Sequence, residues 1–134
     1  MRTAVLDASA IVAVLLDPKG SPGVVELLED EDADLLVPHS CDLEVTSVLR
    51  RLERSGVLGL DRARAALSVY VDLPLSRLPH TVLLGRAFGL RDHFTVYDAV
   101  CIALTEAMGA TLYTANHRLA CAVWAHTSVD IVEV

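Results

Sequence analysis

Five short apolar runs, each separated from the next by segments of helical periodicity, constrain this chain more than anything else in it. The runs are Thr3–Leu6, Asp34–Val37, Leu75–Leu78, Thr111–Thr114 and Val129–Val134. Each has strand length, and Thr3–Leu6 reads as a short buried strand. Helices are expected between them: Ser9–Leu16, stopped by Asp17-Pro18 and the turn-rich Lys19–Gly23; Val24–Glu29; and Ser40–Ser55, closed by Gly56. Further on come Arg62–Val71 with Asp61 as N-cap, Thr81–Leu90, Thr95–Met108 ending at Gly109, and a last helix from Asn116 to about Ala125. Pro38 marks the end of the second strand. On the Thr95–Met108 helix, Tyr97, Val100, Cys101, Leu104 and Met108 share a face. Strands alternating with helices predict an α/β fold, a three-layer α/β/α sandwich around a mostly parallel sheet. No repeat, low-complexity tract or linker interrupts residues 1–134, which read as one domain. In such sheets chemistry collects beyond the carboxyl ends of the strands, near a topological switch point.

Composition narrows the class. Hydrophobic residues make up 53% of the 134 and mean hydropathy is +0.46, above the ~45–50% apolar share of an average domain. Part of that surplus is available for burial against another chain. No stretch approaches the ~20 apolar residues that span a bilayer, and Thr3–Leu6 running straight into Asp7 lacks the form of a signal peptide. Cys41, Cys101 and Cys121 are odd in number, widely spaced and free of any C-x-x-C pair. They read as buried thiols in helical apolar patterns, not as zinc ligands or disulfide partners, and a cytoplasmic protein fits best. The net charge of −7 is the wrong sign for a nucleic-acid binder. Some of the negative charge lies in the solvated run Glu29–Asp32, however, and a carboxylate cluster holding a divalent ion inverts its own local potential.

Four polar residues stand where the sheet would place chemistry. Asp7 ends the first strand, Asp98 opens a helix, and Asn116 follows the fourth strand. Each also has a capping reading: Asp7 and Asn116 as N-caps, and Thr95-x-x-Asp98 as a capping box. Glu44 is harder to place blandly. It lies three residues after Cys41 and four before Val48, on the apolar face that also carries Val45, Leu49 and Leu52. A carboxylate there is costly unless it is paired or ligates a metal; an ion pair with an arginine such as Arg51 is the structural alternative. Oxygen ligands without sulfur or paired histidine point to Mg²⁺ or Mn²⁺.

Val5-Leu6-Asp7-Ala8-Ser9-Ala10, Glu44, Tyr97-Asp98-Ala99 and Thr111–Leu119 together resemble, in order and over essentially the whole chain, the signatures of the PIN-domain family. A short chain of this kind is most similar to the VapC toxins of bacterial and archaeal VapBC toxin–antitoxin pairs. The resemblance implies a Mg²⁺-dependent endoribonuclease, dimeric and inhibited by a small VapB-like antitoxin. It assigns the core acidic positions to Asp7, Glu44 and Asp98. Asn116 departs from the family, since many relatives carry a fourth Asp there; its oxygen still ligates or orients water, but it brings no charge. Thr114 and Ser9 are candidates to hydrogen-bond the carboxylates, with a plain strand residue as the equal alternative for Thr114. Arg118 could meet substrate phosphate and His117 carry a proton, although solvated surface roles suit both.

Three rival readings are weaker. A phosphotransfer Asp at position 7 would want a second Asp where Ser9 stands, and a lysine near the phosphate, whereas Lys19 lies in a turn. A flap nuclease would need additional DNA-binding elements. A non-catalytic RNA-binding or interaction module on a degenerate scaffold draws its support from Asn116 and is opposed by the three retained acids.

Overall fold

The computed structural model describes residues 2–134. Among them five strands, β1 (Arg2–Leu6), β2 (Ala33–Pro38), β3 (Ser76–Leu78), β4 (Thr111–Thr114) and β5 (Asp130–Glu133), form one sheet in the order β3-β2-β1-β4-β5. Every pairing is parallel. Seven helices connect them: α1 (Ala8–Leu16), α2 (Pro22–Glu29), α3 (Ser40–Arg54), α4 (Leu60–Asp72), α5 (Leu84–Gly89), α6 (Val96–Met108) and α7 (His117–His126).

The two-residue period of the strands splits the core into two layers. Ala4 and Leu6 of β1, with Leu35 and Val37 of β2, pack against α1, α3 and α4 through Ile11, Val45, Leu49 and Tyr70. Val5 and Leu36 face the opposite way, onto α5, α6 and α7 through Ala87, Ile102, Leu119 and Val123. The three-layer sandwich is therefore the one expected. No described helix is long and apolar enough to cross a membrane.

Several local expectations change. Gly59, not Asp61, caps α4, and Asp61 sits inside its first turn, where its charge still suits the helix dipole. The Thr81–Leu90 helix splits into a 3₁₀ turn (Thr81–Leu83) and the short α5, which contains Gly85 and ends at Gly89; glycine is a poor interior residue. On α6, Tyr97 and Met108 are exposed. Buried residues run continuously from Ala99 to Thr105, because the middle of this helix lies under the sheet with other elements around it. Cys41 and Cys101 are buried, but Cys121 is exposed. Gly56 and Gly109 follow α3 and α6 at φ of 81° and 58°, left-handed backbone that favours glycine.

The strand order sets the site. From β1 the chain builds outward through β2 and β3 on one side, then returns to add β4 and β5 on the other. The connections thus diverge between the carboxyl ends of β1 and β4, which opens a crevice at the switch point. Asp7 and Asn116 stand at its two lips.

Candidate metal centre

Asp7 directly follows β1, and its backbone N–H donates to Tyr113 O at 3.1 Å, carrying the β1–β4 pairing to its end. Its residue is only 5% exposed, so its carboxylate depends on protein donors. Oδ1 accepts from the Ser9 hydroxyl at 2.6 Å and from Ala10 N–H at 2.9 Å. Oδ2 accepts from the Thr114 hydroxyl at 2.5 Å.

Each hydroxyl has one proton, so once both are given to Asp7 the hydroxyl oxygens act only as acceptors. Ser9 Oγ accepts from Ala115 N–H at 2.9 Å and Thr114 Oγ1 from Asn116 N–H at 3.0 Å. The 3.1 Å approach of the two hydroxyl oxygens then holds no proton while Asp7 is ionised. The backbone leaving β4 orients both hydroxyls, and they orient the carboxylate. Burial raises the pKa of Asp7, and these hydrogen bonds pull it back. Capping and ligation do not compete here: Oδ1 caps α1, while Oδ2 keeps an acceptor site beyond Thr114. The plain-strand reading of Thr114 is set aside by its buried hydroxyl.

Asp98 sits in the first turn of α6, where the Thr95 hydroxyl accepts from its N–H at 3.3 Å. The return half of the capping box, from Thr95 N–H to the Asp98 carboxylate, is absent among the described hydrogen bonds. That leaves the carboxylate without the backbone partner of a full capping box, with the Thr95 side chain beside it. Burial and repulsion from Asp7 raise its pKa, against a smaller pull from Thr95.

Glu44 projects from α3 between buried Cys41, Val45 and Leu49. It is half-buried, and burial followed by repulsion from Asp98 and Asp7 pushes its pKa up to about 7. Among the described residues neither Arg51 nor any other cation pairs with it, so the ion-pair alternative is not realised. The three expected acids thus act electrostatically on one another. No three His, Cys, Asp or Glu side chains among the described residues form a ready-made cage. Mg²⁺ does not require one, since it keeps several waters and is held by one or two carboxylates. Glu44, with no cationic partner among the described residues and within electrostatic reach of Asp98 and Asp7, has the chemistry that such an ion would satisfy.

Asn116 caps α7, its Oδ1 accepting from Leu119 N–H at 3.2 Å. It stands between two shallow grooves, one bordered by Thr95, Asp98 and Arg118, the other by Ser9, Glu44 and Arg51. The side chain is central but already committed to the helix end.

Residues 4–123, through nearly the whole of this architecture, match the family model of the PIN domain. The chain belongs to the PIN-domain family. It is 36% identical over 128 residues to Ribonuclease VapC9 of Mycobacterium tuberculosis, covering 96% of this chain and 97% of that one. Ribonuclease VapC1 of the same organism is 37% identical over 125 residues, with 91% and 92% covered. The crystal structure of the sarcin–ricin-loop-cleaving toxin VapC20 of M. tuberculosis superposes with a TM-score of 0.67 at 16% identity, covering 98% of both chains. That of VapBC2 from Rickettsia felis, bound to a DNA fragment from its promoter, gives 0.70 at 13%, again with 98% of both covered. At those identities the two structures speak for the fold.

This PIN domain also holds features that the sequence reading passed over. Arg50, Arg51 and Arg54 border one groove on α3 with Ser47 and Ser55, and none forms an ion pair among the described residues. Their i, i+1, i+4 spacing was the available signal. The net negative charge therefore coexists with a basic rim beside Glu44. Asp42 accepts from the Tyr70 hydroxyl at 2.5 Å and from Arg77 Nε at 2.8 Å, tying α4 and β3 to the first turn of α3. Its partners lie 28 and 35 residues away, beyond local pattern. The Cys41 thiol is pushed up to about 12, chiefly by burial, and is inert. His117, a candidate proton carrier, meets Glu133 through Nδ1 at 2.9 Å.

Proposed function

We propose that this PIN domain is a Mg²⁺-dependent endoribonuclease of the VapC kind, the toxin of a toxin–antitoxin pair, with Mn²⁺ as an alternative ion. The observation carrying the reading is Glu44: a half-buried carboxylate with no cationic partner among the described residues, raised to about 7 by burial first and then by Asp98 and Asp7. Such an arrangement is strained until a cation shares it. Asp7 and Asp98 would hold the ion, Glu44 would bind it directly or through water, and Asn116 would contribute at the edge. A bound ion supplies an activated water and charge neutralisation at an RNA phosphodiester.

The protein's own part is orientation. Ser9 and Thr114 fix the Asp7 carboxylate, a role that outer hydrogen-bond partners take at metal sites. Arg50, Arg51 and Arg54 on one side and Arg118 on the other offer contacts to RNA phosphates. The neutral Asn116 favours one tightly held ion over two.

Relatives named VapC ribonucleases support the activity. Similar folds solved as VapBC assemblies from R. felis and Haemophilus influenzae support a VapB-like antitoxin as partner, with a homodimer in the cytoplasm as the working state. Incubating the purified chain with structured RNAs and Mg²⁺ or Mn²⁺, beside Asp98→Asn, tests the activity. Cleavage by the parent alone is expected. No cleavage with either metal would instead favour a non-catalytic interaction module, and equal cleavage by the variant would point to a contaminating nuclease.

A further inference from the structure

Outside the carboxylate site, one exposed cluster has the connectivity of an activated nucleophile. His117 and Cys121 lie one turn apart on α7, and Cys121 Sγ approaches His117 Nε2 at 3.5 Å. On the opposite side of the same ring, Nδ1 lies 2.9 and 3.0 Å from the two carboxylate oxygens of Glu133, at the end of β5. An ionised carboxylate only accepts hydrogen bonds, so Nδ1 must carry the ring proton. That choice of tautomer leaves the Nε2 lone pair facing the thiol. Thiol, base and base-orienting acid are thus assembled in the order that nucleophilic catalysis requires, from the consecutive elements α7 and β5. The remaining thiols, Cys41 and Cys101, are buried, and Cys121 is exposed.

We propose that Cys121 is a thiol–disulfide exchange site, activated by His117 and Glu133, for small disulfides of the oxidised-glutathione class. The Cys121 proton passes to His117 Nε2, and Glu133 steadies the resulting imidazolium. The thiolate then attacks one sulfur of the incoming disulfide. A Cys121–S bond forms, the disulfide S–S bond breaks, and the departing thiolate takes the proton from His117. Cys121 is oxidised by one sulfur–sulfur bond and the leaving sulfur is reduced, so the small disulfide is the only oxidant required. His117 follows Asn116 directly and Arg118, on the same turn, borders the groove beside Asp98; a group added at Cys121 therefore changes the chain one turn from the candidate metal centre.

The test uses the full folded chain and the neutral probe 4,4′-dithiodipyridine, followed by absorbance, with oxidised glutathione and mass spectrometry as the second arm. One thiol per chain should react rapidly, and Cys121→Ser should remove that phase. At pH 7 the rate constant should exceed that of an unstructured cysteine peptide by at least about fivefold, because His117 Nε2 stands ready to take the thiol proton. His117→Gln should return it to the peptide value and Glu133→Gln should lower it by about half or more. Matching thermal melts of the two variants and the parent would show that the fold is intact. A parent rate equal to the peptide's, or one unmoved by His117→Gln, overturns the proposal and leaves a surface ion pair beside an ordinary thiol.

Discussion

Replacing Glu44 by glutamine keeps the shape of the side chain and removes a charge that the fold holds at a disadvantage. In the folded chain the carboxyl titrates near 7 instead of the ordinary 4.5. The native state therefore grips the proton more tightly than the unfolded chain does, and the parent loses stability as pH rises from about 4.5 to 7. At roughly 1.4 kcal/mol per pH unit, that displacement bounds the penalty at about 3 kcal/mol. Water reaching the half-buried group screens it, so about 1–2 kcal/mol is the expected value. For a domain of this size, at about 3–5 °C per kcal/mol, the metal-free Gln variant should melt about 3–10 °C above the parent at pH 8. Below pH 4.5 the two should converge.

The same charge should attract the ion, so adding Mg²⁺ ought to reverse the order. The parent gains RT ln(1 + [L]/Kd), about 2.7 kcal/mol at a hundredfold excess over Kd, while the variant gains less. Thermal melts in chelator and in Mg²⁺, from pH 4 to 8, read both effects. If the Gln variant melts at or below the parent in chelator at pH 8, Glu44 is not strained by its neighbours and the electrostatic case for the centre fails.

Other substitutions probe the rest of the construction. Thr114→Val removes the donor to Asp7 Oδ2 and the acceptor for Asn116 N–H; it should cost about 1–3 kcal/mol in denaturant titration and about 10–100-fold in Mn²⁺ affinity, whereas Thr114→Ser should restore most of both. Asn116→Asp keeps the helix cap and adds a fourth carboxylate, so calorimetric titration should find tighter or additional Mn²⁺ binding, and an unchanged isotherm would count against its place at the centre. Leu112→Ala empties a fully buried position on β4 and should destabilise by about 2–5 kcal/mol, measurable by urea unfolding.

Local physics made much of this chain legible before its structure. Ala4-Val5-Leu6 and Leu35-Leu36-Val37 imply buried parallel strands, because a run without polar alternation has no face to offer water. Gly56 and Gly109 marked helix ends by a backbone conformation that side chains disfavour. Glu44 stood out because a carboxylate on an apolar helix face needs a reason to be there. Tertiary structure decided what local pattern cannot encode. It left Glu44 without the arginine that might have neutralised it, and it turned Thr114 from a strand residue into one of the supports of Asp7. It also exposed Cys121 and placed it against His117, held in turn by Glu133. Each of these depends on which strands become neighbours: β4 lies beside β1 although more than a hundred residues separate them, and a hydrogen bond between such residues leaves no periodic trace in the sequence that makes it.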